Sequence, residues 1–236
     1  MNNLANKVAY ITGGSKGIGL GIAHALLAQG MKVAITGRNE KALQDASKTL
    51  EQYNANLLTI TADVSDWQSE SAAVQKTINH FGKLDVVIAN AGVGHFAPIH
   101  QLTQEQWHET INTNLTGVFN TVKASVDALK QSKGYIITIA SLAGANFFEA
   151  GAAYNASKFG LVGFTQAIML DLRKQGIKVT TIMPGSVSTY FNNHQPSDAD
   201  AWKIQPEDLG QMVVDLLNMN PRTLPSKIEV RPSQPK

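Results

Sequence analysis

The chain has 236 residues, 43% hydrophobic and 16% charged, which is enough apolar material for a full core and too much for a disordered chain. Lys and Arg number 20 against 18 Asp and Glu, so the net charge of +2 gives no electrostatic signature of nucleic-acid or anionic-membrane binding. The absence of cysteine excludes disulfides, thiolate nucleophiles, zinc–thiolate sites and iron–sulfur clusters.

Short apolar runs and longer segments of helical periodicity alternate along the chain. The first run, residues 8–12, predicts a buried strand, and residues 17–29 predict a helix that Gly30 ends. Further strands are predicted at residues 32–37, 57–61, 86–89, 135–139, 179–183 and 228–230. Further helices are predicted at about 40–53, 66–80, 115–129, 154–174 and 206–217, with a loop over 190–205 and a short tail over 231–236.

This alternation indicates the class of fold. Continuous apolar strands separated by helices are typical of a parallel sheet covered on both faces, with right-handed crossovers. We therefore expect one α/β domain over residues 1–236. No apolar run approaches the ~18 residues of a transmembrane helix, and residues 1–4 lack the basic segment of a secretory leader. Hence we expect a cytoplasmic protein that does not bind membranes.

A glycine-rich turn joins the first strand to the first helix. It reads Thr12-Gly13-Gly14-Ser15-Lys16-Gly17-Ile18-Gly19. Glycines allow a tight turn and let a pyrophosphate approach the free N–H groups at the helix N-terminus. The spacing is Gly-x-x-x-Gly-x-Gly rather than the dinucleotide pattern G-x-G-x-x-G, so a simple structural turn is the alternative.

The same turn is compatible with one other chemistry. Gly13-x-Ser15-x-Gly17 fits the nucleophile elbow of serine hydrolases. That elbow needs an upstream strand–helix loop to donate the second oxyanion N–H, and too few residues precede Gly13 to form one. We therefore disfavour a hydrolase.

The end of the second strand indicates which dinucleotide would bind. A NAD site usually carries Asp or Glu about 20 residues past the glycines, to bind the ribose 2′-hydroxyl. Here that place is Gly37, followed by Arg38. A guanidinium can pair with a 2′-phosphate in a bidentate manner, and Lys16 could add a second positive charge. The pattern favours NADP(H) over NAD(H), the alternative being that both cations are ordinary surface charges.

A Tyr–Lys pair is the candidate catalytic element. Tyr154 and Lys158 lie four positions apart on a predicted helix, so their side chains share one face. None of the other four Tyr has a Lys at this spacing. Ser141 follows the strand at 135–139, at the sheet edge that carries ligands in open α/β sheets. Asn114 stands where the preceding helix is predicted to begin.

Together with the glycine turn, these residues resemble the short-chain dehydrogenase/reductase family. The resemblance covers essentially the whole chain. Its other matching segments are Asp63-Val64, Asn90-Ala91-Gly92 and Pro184-Gly185-Ser186-Val187-Ser188-Thr189. It implies a Rossmann-type doubly wound domain whose seven-stranded parallel sheet has the order 3-2-1-4-5-6-7, with helices on both faces.

The resemblance also implies catalytic roles. Tyr154 would be the general acid for ketone reduction and the general base for alcohol oxidation, and a free Tyr pKa of about 10 must be lowered for the second role. Lys158 would favour the phenolate and bind the nicotinamide ribose. Ser141 would hydrogen-bond the substrate oxygen, and Asn114 would hold a water that links Lys158 to solvent.

The resemblance further implies a set of cofactor-binding residues. The pyrophosphate and ribose would be lined by the turn, the adenine by the end of the third strand, the second ribose by the end of the fourth, and the carboxamide by the segment after the sixth. Besides Tyr154 and Lys158, these residues are Gly13, Ser15, Lys16, Ile18, Gly19, Arg38, Asp63, Val64, Asn90, Ala91, Gly92, Pro184, Gly185, Val187 and Thr189.

The function expected from the resemblance is NADP(H)-dependent interconversion of a ketone or aldehyde and an alcohol. The specific substrate could be a 3-oxoacyl group on an acyl carrier protein, although a different carbonyl compound is as compatible with the C-terminal sequence. An NADP(H)-sensing regulator on the same fold is the non-enzyme alternative.

We expect no metal at the scattered histidines, and His95 and Phe96 could line the substrate cleft. A homodimer or homotetramer could form through outer helix faces, with Leu161, Phe164, Ile168 and Leu172 as candidates.

Overall fold

The computed structural model describes residues 4–234. Its seven strands form one parallel sheet in the predicted order, β3-β2-β1-β4-β5-β6-β7. The expected fold class and strand order are therefore confirmed. The strands are β1 (Val8–Ile11), β2 (Lys32–Gly37), β3 (Leu57–Thr61), β4 (Val86–Ala89), β5 (Tyr135–Ile139), β6 (Lys178–Pro184) and β7 (Lys227–Val230).

Helices cover both faces of this sheet. They are α1 (Gly17–Ala28), α2 (Glu40–Thr49), α3 (Trp67–Phe81), α4 (Gln104–Ile111), α5 (Gly117–Ser132), α6 (Ala152–Leu172) and α7 (Pro206–Asn218). The apolar residues of α1, α2 and α7 pack on one face, and those of α3, α5 and α6 pack on the other. The five inner strands, β1, β2, β4, β5 and β6, are buried on both sides, which explains why their sequences are largely continuous apolar runs rather than alternating ones.

Two predicted helices differ at their ends from the observed ones. Helix α2 ends at Thr49 instead of continuing to residue 53, and a 3₁₀ turn, Glu51–Asn56, leads into β3. Leu50 is fully buried at the change of direction, so its burial ends the helix earlier than the polar pattern indicated. Helix α6 ends at Leu172 and continues as a 3₁₀ turn, Arg173–Gln175, before Gly176 in the left-handed region.

The helix predicted at 115–129 begins much earlier than expected. The chain is helical from Gln104, passes through a π-helical turn, Asn112–Thr116, and continues as α5. The first part is mostly polar, and this hid it from a search for apolar periodicity. Its start nevertheless has a sequence signal, the capping box formed by Thr103 and Gln106.

The outer face of α6 is not the one predicted. Leu161 and Leu172, expected to face outward, are buried in the core, while Phe164 and Ile168 pack partly against it. The exposed apolar side chains of α5 and α6 are instead Phe119, Phe159 and Leu170. The helix is apolar on most sides, so its sequence does not show which side meets the sheet.

The predicted tail over residues 231–236 is described only in part. Residues 231–234 follow β7 without regular structure, and the remaining predicted tail residues, Pro235 and Lys236, lie outside the described residues, as do residues 1–3. Within residues 4–234, no helix has both the length and the apolar character needed to cross a membrane.

Candidate active site at the carboxyl edge of the sheet

A cleft of about 700 Å³ opens along the carboxyl ends of the strands. Its walls come from the loops after β1, β2, β3, β4, β5 and β6 and from the start of α6. This is where ligands bind in open parallel sheets. Most of the predicted site residues line it: Gly13, Ser15, Lys16, Ile18, Arg38, Asp63, Val64, Asn90, Ala91, Gly92, Ser141, Tyr154, Lys158, Pro184, Gly185, Val187 and Thr189.

The glycine turn gives the cleft an anion-binding end. Gly13 and Gly17 have φ values of 63° and 54°, in the region that favours glycine. A Cβ at Gly13 would lie 2.9 Å from the Ala91 Cα, so a side chain would also clash. Helix α1 begins beside this turn without a side-chain cap at Lys16 and without an acidic residue in its first turn. Its first N–H groups are therefore available for a phosphate, and the turn fits a dinucleotide.

Ser15 and Gly19, both predicted to bind the cofactor, differ in whether they line the cleft. Ser15 lines the cleft, and no hydrogen bond joins its hydroxyl to a histidine within residues 4–234, so the hydrolase alternative lacks a general base. Gly19 is buried and does not line the cleft. A Cβ there would collide with the carbonyl oxygen of Gly13, so Gly19 allows α1 to pack closely on the turn.

Asn90 holds two loops together at the centre of this edge. Its side-chain amide donates to the carbonyl oxygens of Thr12 (2.9 Å) and Gly13 (3.1 Å). The Thr12 hydroxyl in turn accepts hydrogen bonds from the backbone N–H groups of Asn90 and Ala91, both at 3.0 Å. The predicted Asn90-Ala91-Gly92 segment thus fixes the glycine turn from the neighbouring strand.

Asn114 lies beneath the cleft, in the π-helical turn. Its side chain is fully buried and pairs twice with Val93: the Val93 N–H donates to Oδ1, and Nδ2 donates to the Val93 carbonyl, both at 2.8 Å. Nδ2 also donates to the Ser157 hydroxyl at 3.0 Å. The π turn supplies the extra residue that places this amide under the loop after β4, as π turns often do at functional sites.

Replacing Asn114 with Leu should destabilise the protein by about 3 kcal/mol, because both backbone groups of Val93 and the buried Ser157 hydroxyl would lose their partner. Urea unfolding at neutral pH measures the change. Asn112→Leu, an exposed position in the same π turn, is the matched control and should alter stability by less than about 0.5 kcal/mol. Equal changes in the two variants would contradict the role of these hydrogen bonds.

Tyr154, Lys158 and Ser141 meet at the other end of the cleft. The Lys158 Nζ lies 5.7 Å from the centre of the Tyr154 ring and donates to the Ile139 carbonyl at 3.0 Å. A Cβ at Gly92 would lie 3.3 Å from the Asn114 Oδ1 and 3.7 Å from the Lys158 Nζ. The backbone at Gly92 therefore lies close to both Asn114 and Lys158.

Burial shifts the pKa values of both Lys158 and Tyr154. Burial lowers the pKa of Lys158 from 10.5 to about 8. Burial also raises the pKa of Tyr154, and a hydrogen bond with Ser141 acts in the opposite direction. With protein groups alone, Tyr154 therefore remains a protonated phenol at neutral pH, which is the form that can donate a proton.

Arg38 and His95 share one carboxylate that the sequence search missed. Glu109, on α4, lies 3.5 Å from the Arg38 guanidinium and 2.8 Å from the His95 Nε2. The hydrogen bond from His95 and the nearby Arg38 hold the pKa of Glu109 below its ordinary value. Glu109 was missed because it lies on the helix that the apolar pattern did not reveal.

A second ion-pair cluster organises the segment predicted as a loop at 190–205. Asp200 is buried and lies 2.6 Å from the Lys203 Nζ and 2.5 Å from the His194 Nε2. Hydrogen bonds from these two side chains hold the pKa of Asp200 well below its ordinary range. Lys203 and His194 line the cleft, so Asp200 fixes the segment that covers it.

Two phenylalanine rings contact Tyr154, and a third contacts one of them. Phe96, Phe148 and Phe191, together with Tyr154, form a cluster that we call the aromatic cluster. The Phe96 ring centre lies 5.4 Å from that of Tyr154, 5.8 Å from Phe148 and 6.2 Å from Phe191, and Tyr154 lies 5.6 Å from Phe191. The sequence predicted that His95 and Phe96 line the cleft, but neither does, and Phe96 instead packs against Tyr154. Phe191, which does line the cleft, and Phe148 come from distant loops and were not predicted.

Comparisons with known proteins agree on one family. The family profile described as short chain dehydrogenase matches residues 7–200. An uncharacterised oxidoreductase of Staphylococcus saprophyticus is 33% identical over 98% of this chain and 100% of its own. The alcohol dehydrogenase of Thermococcus sibiricus, solved with 5-hydroxy-NADP, superposes with a TM-score of 0.91 at 30% identity, over 98% of this chain and 99% of that one. A short chain dehydrogenase of Burkholderia cenocepacia, solved with NADP, gives a TM-score of 0.88 at 30% identity over 98% of both chains.

Proposed function

Because the chain belongs to the short-chain dehydrogenase family, we propose that it interconverts a ketone or aldehyde and an alcohol with NADP(H). The observation that carries this proposal is the convergence of Ser141, Tyr154 and Lys158 on one end of a cleft whose other end is the glycine turn. This arrangement supports phosphate binding and proton transfer within one cleft.

In this proposal the reduced cofactor, when bound, supplies the hydride that adds to the carbonyl carbon. The Ser141 hydroxyl donates a hydrogen bond to the carbonyl oxygen and orients it. Tyr154 donates its phenolic proton to the same oxygen as the carbon–oxygen double bond becomes single, so the product is an alcohol. The Lys158 ammonium stabilises the phenolate that is left.

The remaining residues are proposed to bind and position. Asn114 holds the loop after β4 and a water that reprotonates Lys158. The turn binds pyrophosphate through Gly13, Ser15 and Ile18, while Gly19 acts from behind by allowing close packing. The adenine would lie against Asp63 and Val64, a ribose against Asn90, Ala91 and Gly92, and the carboxamide against Pro184, Gly185, Val187 and Thr189.

The preference for NADP(H) rests on two exposed cations that line the adenine end of the cleft, Arg38 and Lys16. No acidic side chain occupies the Gly37 position, where a NAD site would carry one. The NADP complexes of the Burkholderia cenocepacia and Thermococcus sibiricus proteins support the same preference.

Arg38→Asp should weaken NADPH binding at least about 10-fold and NADH binding less than about 2-fold, because only NADPH carries the 2′-phosphate. Fluorescence titration of both reduced cofactors measures the two dissociation constants. Arg222→Asp, which has the same charge change far from the cleft, should alter neither. An equal loss for both cofactors in Arg38→Asp would refute the 2′-phosphate role.

The direct test is NADPH oxidation by the purified protein with a panel of carbonyl compounds, including an acetoacetyl thioester. Turnover supports the enzyme. Tight NADPH binding with no turnover of any carbonyl would instead support the sensing regulator. Reduction of the acetoacetyl thioester would support the narrower proposal of 3-oxoacyl-(acyl carrier protein) reduction.

We also propose that the protein is a homodimer or homotetramer through α5 and α6. The support is their exposed apolar side chains, Phe119, Phe159 and Leu170. The ring of Phe119 extends this surface by contacting Phe164, with 6.4 Å between the ring centres.

A further inference from the structure

Two phenylalanine rings, Phe96 and Phe191, pack against the proposed proton donor Tyr154. Phe96 touches the three other members of the aromatic cluster, and it reaches them from the loop after β4. Phe148 comes from the loop before α6, and Phe191 comes from the segment after β6. Tyr154 and Phe191 line the cleft, so a substrate whose oxygen reaches Tyr154 approaches the aromatic cluster.

The same loops form an apolar mouth. Phe148 is 48% exposed and Phe191 is 37% exposed. A Cβ at Gly94 would collide with the rings of Phe191 and Phe96, so the backbone at this position lies directly against the cluster. Exposed rings at the entrance, continuous with rings around the reacting group, favour a flat apolar ligand.

The chain segments that form this mouth carry acidic residues and no Lys or Arg between their ends. No Lys or Arg occurs between Lys83 and Lys123, between Lys133 and Lys158, or between Lys178 and Lys203. These three stretches contain every ring of the aromatic cluster, and at the carboxyl side of the sheet they carry acidic residues: Glu105, Glu109, Glu149, Asp198 and Asp200.

Apart from Lys158, which the proposed proton transfer uses, the basic side chains near this end already have acidic partners. His95 lies 2.8 Å from Glu109, and the Lys203 ammonium lies 2.6 Å from Asp200. An anionic substrate would have to displace Glu109 or Asp200 from one of these contacts or lie unpaired near carboxylates, and both are unfavourable. A phosphopantetheine arm, which carries a phosphodiester, meets the same obstacle.

We propose that the substrate is a neutral carbonyl compound with an aromatic ring beside the carbonyl group, and that the aromatic cluster selects it. This inference rests on the proposed reductase function. In the reaction, NADPH is oxidised to NADP⁺, its hydride forms the new carbon–hydrogen bond, and the Tyr154 proton forms the hydroxyl. The aromatic ring of the bound substrate takes the place of part of the contact between Phe96 and the rings of Phe148 and Phe191.

The expected preference for a neutral substrate is tested with a matched pair of ketones. Acetophenone and 4-acetylbenzoate share the reacting group and differ by one carboxylate. With NADPH and wild-type protein, kcat/KM for acetophenone should exceed that for 4-acetylbenzoate at least about 10-fold. Equal values, or a preference for the anion or for acetoacetyl-coenzyme A, would overturn the substrate class while leaving the reductase function intact.

The expected selection of an aromatic substrate by the aromatic cluster is tested by substitution of Phe96. Phe96→Ala should lower the ratio of kcat/KM for acetophenone to that for 2-butanone at least about 5-fold, mainly through a higher KM for acetophenone. Phe96→Leu keeps an apolar side chain without a ring and should lower the ratio in the same direction. Its folding is checked by its affinity for NADPH, which should stay at the wild-type value.

Phe147→Ala is the matched control. Phe147 is a neighbouring exposed ring that makes no ring contact within residues 4–234. Its removal should leave the ratio of kcat/KM for acetophenone to kcat/KM for 2-butanone unchanged. An unchanged ratio in both Phe96 variants would refute selection by the aromatic cluster. Failure of every carbonyl to turn over, with NADPH bound, would instead refute the proposed function and this inference with it.

Discussion

Tyr154→Phe should lower kcat for carbonyl reduction about 1000-fold and change the dissociation constant of NADPH by less than about 2-fold. The substitution removes one hydroxyl from a ring that stays packed between Phe96 and Phe191. Positioned proton transfer contributes about 10²–10⁴-fold to such reactions. Stopped-flow measurement of NADPH oxidation gives kcat, and fluorescence titration gives the affinity.

Tyr53→Phe is the control for this experiment. Tyr53 contacts His24 on the far side of α1 from the cleft, with 5.7 Å between the ring centres, and its hydroxyl should not affect turnover. If Tyr154→Phe retained more than about a tenth of the wild-type kcat, another group would have to supply the proton, and the proposed mechanism would be wrong.

Lys158→Met should abolish most activity and yet stabilise the fold. Activity should fall about 100-fold or more, because the positive charge beside the phenolate is lost. Stability at pH 7 should rise by about 2 kcal/mol. Burial lowers the pKa of Lys158 to about 8, which corresponds to about 3 kcal/mol against the charged amine, and the lost hydrogen bond to Ile139 offsets about 1 kcal/mol of the gain.

The stability difference should depend on pH in one direction. In the unfolded chain the Lys158 pKa has its ordinary value of 10.5, and in the folded chain it is about 8. Below pH 8 the amine is charged in both states, so the full penalty for burying the charge is present. As the pH rises from 8 toward 10.5 the folded protein holds a neutral amine and the penalty disappears. The advantage of Lys158→Met should therefore shrink between pH 7 and pH 10.

Urea unfolding at several pH values measures this difference, with Lys123→Met as the matched control at an exposed position of α5. The control should show no stabilisation at pH 7. A constant advantage of Lys158→Met across the pH range would mean that its cause is apolar packing rather than the removal of a buried charge.

The comparison between sequence and structure is most instructive at Asn114. The sequence marked this residue, but it placed the residue at the beginning of a helix. In the structure it lies in a π turn inside a helix that had already begun at Gln104. A π turn depends on the hydrogen-bond demands of Val93 and Ser157 from other elements, and no local pattern contains that information.

The aromatic cluster shows the same limit in another form. The rings of Phe96, Phe148 and Phe191 are far apart in the chain and meet only because their loops follow neighbouring strands at one sheet edge. Glu109 likewise reaches Arg38 and His95 from a polar helix that apolar periodicity did not reveal. Contacts of this kind arise from packing between elements rather than from spacing within one.

The amino-acid sequence by itself determined the parallel sheet, its strand order through family resemblance, the glycine turn and the Tyr154–Lys158 pair. These follow from local signals: apolar runs, turn glycines and the four-residue period of a helix. Only the tertiary structure decided which face of α6 is exposed, that Asn114 holds Val93, and that the rings of Phe96 and Phe191 pack against Tyr154. The physical reason is that side-chain burial and charge pairing depend on which elements pack together, and that choice is made by the whole core at once.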